Sequence, residues 1–204
     1  PISLVLGPVG VDRLDVTFDF NPTVDRIRVT SNRDYNYRLN PITGAIAFTD
    51  INLNYAVADV NAGANPYIAT GAYTNSYVGS TSTVLYNVDA LLKIVAKQDP
   101  PNNGTLNTIG SLGGAVSKSF SSADMDIFYD AFSQTNKTYL TVNSNLEADR
   151  LITVDLTTGV GTLVTTNIGG GLYIDDIACF IDRSYPDLTG NLMYALNSNN
   201  FLLS

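Results

Sequence analysis

The feature that most constrains this chain is a unit of four short strands that recurs along it. Asp15-Val16-Thr17-Phe18-Asp19-Phe20 puts Val16, Phe18 and Phe20 on one face, because strand side chains alternate. A turn at Asn21-Pro22 leads to Arg26-Ile27-Arg28-Val29-Thr30, and Asn32-Arg33-Asp34 leads to Tyr35-Asn36-Tyr37-Arg38-Leu39. In Asn40-Pro41-Ile42-Thr43-Gly44, Pro41 presets φ and Gly44 supplies a positive-φ position, before Ala45-Ile46-Ala47-Phe48-Thr49. The pattern returns over residues 123–166, where Asp155-Leu156-Thr157-Thr158-Gly159 occupies the place of the Asn40–Gly44 turn. A looser copy runs through Pro66-Tyr67-Ile68, Leu85-Tyr86-Asn87-Val88-Asp89 and Thr105-Leu106-Asn107-Thr108-Ile109.

Four-stranded units at a spacing of about 40–50 residues are the mark of propeller blades. The expected fold is therefore all-β, a propeller-like array of four-stranded antiparallel blades in a single domain over 1–204. The units fall near 11–50, 66–110 and 123–166. A last blade is shared between the termini, with strands near 174–180, 191–196 and 201–203 joined by residues 1–7. A sandwich of unrelated strands is the alternative. Ile2, Leu4 and Leu6 are the assembly face of the added strand, and Met193, Tyr194, Leu196 and Leu202 lie on its partners. Unpaired apolar strands template association, so this closure occurs within one chain or between neighbouring copies.

Composition narrows the chemistry. With no histidine, His-based triads, His general bases and His-containing zinc sites are impossible. Cys179 is the sole cysteine and has no internal disulfide partner. Eleven Lys and Arg against 19 Asp and Glu give a net charge of −8, which argues against nucleic-acid binding. No apolar run reaches the roughly 20 residues that span a bilayer. The chain opens on Pro1 without Met or a signal peptide and reads as a processed or truncated product. The acidic, Asn/Thr/Tyr-rich composition fits a soluble extracellular protein.

Several residues recur in a search for sites. Asp12, Asp15, Asp19 and Asp25 form one acidic stretch, and Asp175, Asp176 and Asp182 another. Ca²⁺ is the cation their oxygens suit, with Asp175 and Asp176 the candidate ligands, but no calcium-loop motif is present. Turn and strand-edge roles are the simpler reading. Asp19 and Asp176 would also serve as a glycosidase pair only if they faced one another across a cleft. Ser117-Lys118-Ser119 lacks a nucleophile elbow, and Gly169-Gly170-Gly171 lacks the Lys of a phosphate loop. Asn103-Gly104-Thr105 and Asn136-Lys137-Thr138 are N-glycosylation sequons, making Asn103 and Asn136 candidate acceptors. Tyr67, Tyr73, Tyr77 and Tyr86 are candidates for a glycan-binding surface or for sheet packing.

The segment Phe18-Asp19-Phe20-Asn21-Pro22-Thr23-Val24-Asp25-Arg26-Ile27-Arg28-Val29 resembles the hallmark of the DUF4394 family of mostly secreted bacterial proteins. Leu39–Gly44, Asp59–Pro66, Ala72–Ser76 and Pro101–Gly110 match in the family's order. The resemblance implies a propeller-like fold and a secreted location, and carries no catalytic residues. In the family, a segment like Leu192–Ser198 precedes the hallmark; here it follows, so the chain resembles a permuted slice of the domain. These readings converge on a non-enzymatic extracellular structural protein, a self-assembling surface or filament subunit joined by strand complementation. The alternative is a secreted propeller that binds glycan or protein. No cofactor is expected beyond the Ca²⁺ candidate, nor any metal-independent hydrolase activity.

Overall fold

A computed structural model of the chain describes residues 14–116, 120, 122–144, 147–171, 174–180, 193–197 and 202–203. Its regular elements are strands joined by turns, three of them short 3₁₀ turns, with no α-helix among the described residues. The first sheet holds β1 (Val16–Phe20), β2 (Ile27–Ser31), β3 (Asn36–Leu39) and β4 (Ile46–Thr49) in sequential antiparallel order. The bounds match the alternation in the sequence to within a residue or so.

The turns explain why the unit recurs. The Asn40 side-chain oxygen accepts the backbone N–H groups of Ile42 (2.9 Å) and Thr43 (3.1 Å), and Gly44 N–H returns to the Asn40 carbonyl at 2.8 Å. Asp155 does the same for Thr157 (2.7 Å) and Thr158 (3.2 Å), and Gly159 N–H reaches the Asp155 carbonyl at 2.7 Å. Gly44 and Gly159 have φ of 69° and 78°, a region where a Cβ is costly. One turn, built twice from an Asx residue and a glycine, sets the fourth strand of each unit.

The second sheet contains β5 (Asn54–Tyr55), β6 (Ile68–Tyr73), β7 (Leu85–Asp89), β8 (Ile94–Gln98) and β9 (Thr105–Ser111). Its order is β5-β9-β8-β7-β6, with β5 parallel to β9 and the other pairs antiparallel. Sequence reading leaves out β5 and β8. Strand β8 is buried at four of its five positions, so it shows no apolar–polar alternation. The third sheet is β10 (Ser122–Asp130), β11 (Thr135–Ser144), β12 (Glu147–Val154) and β13 (Gly161–Thr166), again sequential and antiparallel. The fourth comprises β14 (Ile174–Cys179), β15 (Met193–Asn197) and β16 (Leu202–Leu203), close to the expected bounds. Ile2, Leu4 and Leu6 lie outside the described residues, as do Asp12 and Asp182.

Strands β1, β6, β10 and β14 each lie at a margin of their sheet and pack in succession, β1 on β6, β6 on β10 and β10 on β14. The largest core joins the second and third sheets through Ala72, Val88, Val95, Met125, Leu140 and Ile152. Burying each of the larger aliphatic groups contributes about 1.5–3 kcal/mol. The junction of the first and second sheets is polar instead. Arg28 is 2% exposed and donates to Asp50 (2.6 Å), Asn36 (2.7 Å), Asn102 (2.8 Å) and the Tyr73 hydroxyl (3.2 Å). Arg38 closes on Asp50 through two further bonds of 2.8 Å and stacks over Phe48. The opposite, apolar face of the first sheet gathers Ile27, Val29, Leu39 and Tyr37.

Candidate functional site at the junction of the first strands

The marginal strands need partners for backbone N–H groups that no ladder reaches. Side chains of the preceding sheet supply them. Asp19 on β1 accepts from Tyr73 N–H of β6 at 2.6 Å, and Thr70 Oγ1 on β6 accepts from Met125 N–H of β10 at 2.8 Å. On β10, Asp124 accepts from Ile177 N–H at 2.9 Å and Asp126 from Cys179 N–H at 2.5 Å, both on β14. Thr70 also donates to Asp124 at 3.1 Å. Every junction along the row thus carries the same device, a side-chain oxygen holding the next strand's backbone.

The ends of β1 and β14, the loop after β6 and Asp126 of β10 line a cavity of about 400 Å³, with Asp19, Phe20, Tyr77, Ala178 and Cys179 among its residues. Burial pushes the Asp19 carboxyl up to about 7, against the bonds from Tyr73 and Phe20, and the Asp126 charge adds to the rise. Burial also raises Asp126. Asp124 lies well above the ordinary carboxylate range through burial and its hydrogen bond with Asp176. The Cys179 thiol is raised by burial and by neighbouring Asp126, which makes it a poor nucleophile.

The sequence candidates are distributed unevenly about this site. Asp19 lines the cavity, whereas Asp175 and Asp176 are both exposed on β14, Asp176 hydrogen-bonding Asp124. Among the described residues no three or more Asp, Glu, Cys or His side chains gather as a metal site. Of the four tyrosines, Tyr73 is 2% exposed and packs inward, while Tyr77 is 39% exposed and stacks on Tyr129 with centroids 4.4 Å apart. Asn103 is exposed on a 3₁₀ turn. The Asn136 amide instead donates to Asn75 Oδ1 and accepts from Asn75 N–H, each at 2.8 Å. Gly169, Gly170 and Gly171 belong to a 3₁₀ turn between β13 and β14. Met193, Tyr194 and Leu196 lie on β15, and Leu202 on β16. Asp124 and Asp126 were not singled out from the sequence. Their signal was the Asp-Met-Asp spacing, which puts both carboxyls on one face of a strand.

Fold and site together define an all-β protein of packed, mainly antiparallel sheets whose marginal strands β1, β6, β10 and β14 are held together by side-chain oxygens. The chain belongs to the DUF4394 family, a domain of unknown function whose family model matches residues 8–178. No curated protein matches it. Among solved structures, the computationally designed Ika4 protein is similar at 9% identity and a TM-score of 0.41, over 99% of this chain and 97% of that one. No helix among the described residues is long and apolar enough to cross a membrane.

Proposed function

We propose that this chain is a non-enzymatic extracellular structural protein, a subunit that assembles through strand complementation on a propeller-like row of sheets. The observation that carries the reading is the fourth sheet. It has three described strands where the first and third have four, and its outermost described strand is the two-residue β16. A further strand laid on that edge extends the ladder, main-chain bonds supplying affinity and alternate side chains supplying register. Ile2, Leu4 and Leu6 are the proposed donor, reaching a neighbouring copy. If the contact is head-to-tail and does not close, it generates a filament.

The propeller-like arrangement is supported by the succession in which β1 packs on β6, β6 on β10 and β10 on β14. Along one face of β1, Val16, Phe18 and Phe20 are 39%, 59% and 56% exposed, an apolar strip suited to contact between copies. Asn103 is the proposed glycan acceptor on such a surface. Deleting residues 1–7 tests the reading: assembly should be lost, and the free peptide of residues 1–7 added to the intact chain should occupy the edge and block assembly. A truncated chain that assembles like the intact one refutes it.

A second reading, a secreted module that binds glycan or protein, draws on the cavity, where Phe20 and the partly open Tyr77 flank Asp19 and Asp126. Glycan-array binding that disappears in Tyr77→Ala would favour it over assembly.

A further inference from the structure

The junctions between sheets repeat in register. Thr70 on β6 accepts from Met125 N–H, and Asp124, the residue before Met125, accepts from Ile177 N–H. The residue before Ile177 is Asp176. Thr70, Asp124 and Asp176 are joined in line, Thr70 donating to Asp124 at 3.1 Å and Asp124 sharing a hydrogen bond with Asp176. Two residues further along, Asp19 accepts from Tyr73 N–H and Asp126 from Cys179 N–H. By this count Asp176 holds on β14 the place that Asp124 holds on β10. Phe18 and Phe20 hold on β1 the places of Met125 and Ile127.

The two ends of the row carry unmatched halves of this device. The bonds from Asn21 N–H to Arg26 and from Asn32 N–H to Asp15 place the odd-numbered residues of β1 in the hydrogen-bonded pairs with β2. Phe18 N–H therefore points away from β2, and it meets no acceptor among the described residues. Met125 and Ile127 are packed in the core between the second and third sheets, 3% and 1% exposed, whereas Phe18 and Phe20 are each more than half exposed. On β14, Ile177 is buried, while Asp176, Ala178 and Phe180 on the other side of the strand are exposed. No packing like that within the row joins β14 to β1.

We propose that a second copy of this chain continues the row: the β14 face of one copy packs on the β1 face of the next, with Asp176 accepting the Phe18 N–H across the contact and Ala178 and Phe180 seated against Val16, Phe18 and Phe20. The chain already builds this junction three times, at β1–β6, β6–β10 and β10–β14. Its two ends carry the two complementary halves in matching register, which makes another copy the occupant. Taking the phenylalanines out of water supplies the drive, and the carboxylate-to-amide bond fixes the register. The two faces differ, so the contact is heterologous and repeats until a ring closes or a filament grows. The inference rests on the assembly reading for the presence of a neighbouring copy, and adds the face through which copies meet.

The test is sedimentation velocity of the intact chain over a range of concentrations, beside Phe18→Glu and Ala178→Glu. Each variant alone should remain a single copy, its dissociation constant raised by about thirtyfold or more. Mixed in equal amounts, the two should form a one-to-one complex and nothing larger. The intact β14 face of Phe18→Glu then meets the intact β1 face of Ala178→Glu, and the opposite contact sets Glu against Glu. If Phe18→Glu loses its β signal in circular dichroism, Phe20→Glu takes its place. Folded variants that assemble like the intact chain, or that stay apart when mixed, overturn the inference, as does an intact chain that is a single copy at every concentration. Loss of assembly on deleting residues 1–7, with both face variants assembling normally, leaves strand complementation standing and refutes this contact. A deleted chain that assembles while each face variant does not leaves this contact standing and refutes strand complementation.

Discussion

Truncating Arg28 should cost this fold more than any comparable change at its surface. The guanidinium is 3% exposed and binds four partners drawn from β3, the residue after β4, β6 and the turn before β9. Removing one member of a buried ion pair costs about 3–5 kcal/mol when the other is left uncompensated. Here Asp50 keeps two bonds from Arg38, which relieves part of that loss. Asn102 Oδ1 loses its donor, and Asn36 Oδ1 keeps only a 3.4 Å bond from Gln98, although the Asn36 amide still donates to the Ile51 and Pro101 carbonyls. We therefore expect Arg28→Ala to cost about 3 kcal/mol, the lower end of that range. Arg28→Lys should cost about 2 kcal/mol, because an ammonium does not reproduce the planar fork. In urea, with a slope of roughly 2–3 kcal/mol per molar, the Ala variant's midpoint should fall by about 1 M at unchanged slope. A cost below about 0.5 kcal/mol would show that the network does not hold the two sheets together.

Three further outcomes follow from the same geometry. Native Asp19 keeps its proton to about pH 7, whereas the unfolded chain releases it near 3.8, so between those values the native state binds more protons and stability falls as pH rises. At about 1.4 kcal/mol per pKa unit the loss approaches about 4 kcal/mol; exposed Asp130 and Asp155, which Lys137 and Thr157 hold low, act in the opposite sense only below about pH 4 and leave this window unchanged, so urea titrations at pH 4.5 and 7.5 should find the acid form more stable, and the reverse would contradict the assignment. Gly110→Ala should destabilise by about 1–3 kcal/mol, because its Cβ would fall inside contact distance of the Thr158 carbonyl in the turn before β13, and a thermal melt matching the unsubstituted chain would refute this. Expressed in a glycosylating host, the chain should carry glycan at Asn103 and not at Asn136, whose amide is committed to Asn75, as peptide mapping would reveal; occupancy at Asn136 alone would reverse that expectation.

The first and third sheets were legible because alternation and the Asx–Gly turns are local signals. Val16, Phe18 and Phe20 alternate in the sequence and stand on one side of β1, and Gly44 and Gly159 each require a positive φ that the turn motif already implied. Strand β8 was hidden because Ile94, Val95, Ala96 and Gln98 are all buried, which erases the period-two pattern. Strand β5 was hidden because two residues pairing in parallel with β9 carry no local signature. For the site, Asp19 was noted as one acid among many. Its meaning depends on Tyr73, 54 residues away, and on Asp126, whose approach only the packing of four marginal strands creates. Asn136 likewise reads as a sequon until its pairing with Asn75 is seen.

The most direct test of the proposed role is negative-stain microscopy of the intact chain over a range of concentrations, beside the chain lacking residues 1–7. Strand complementation predicts filaments or regular oligomers that lengthen with concentration, and single particles of unchanged β content after the deletion. Uniform single particles of the intact chain at every concentration would contradict it.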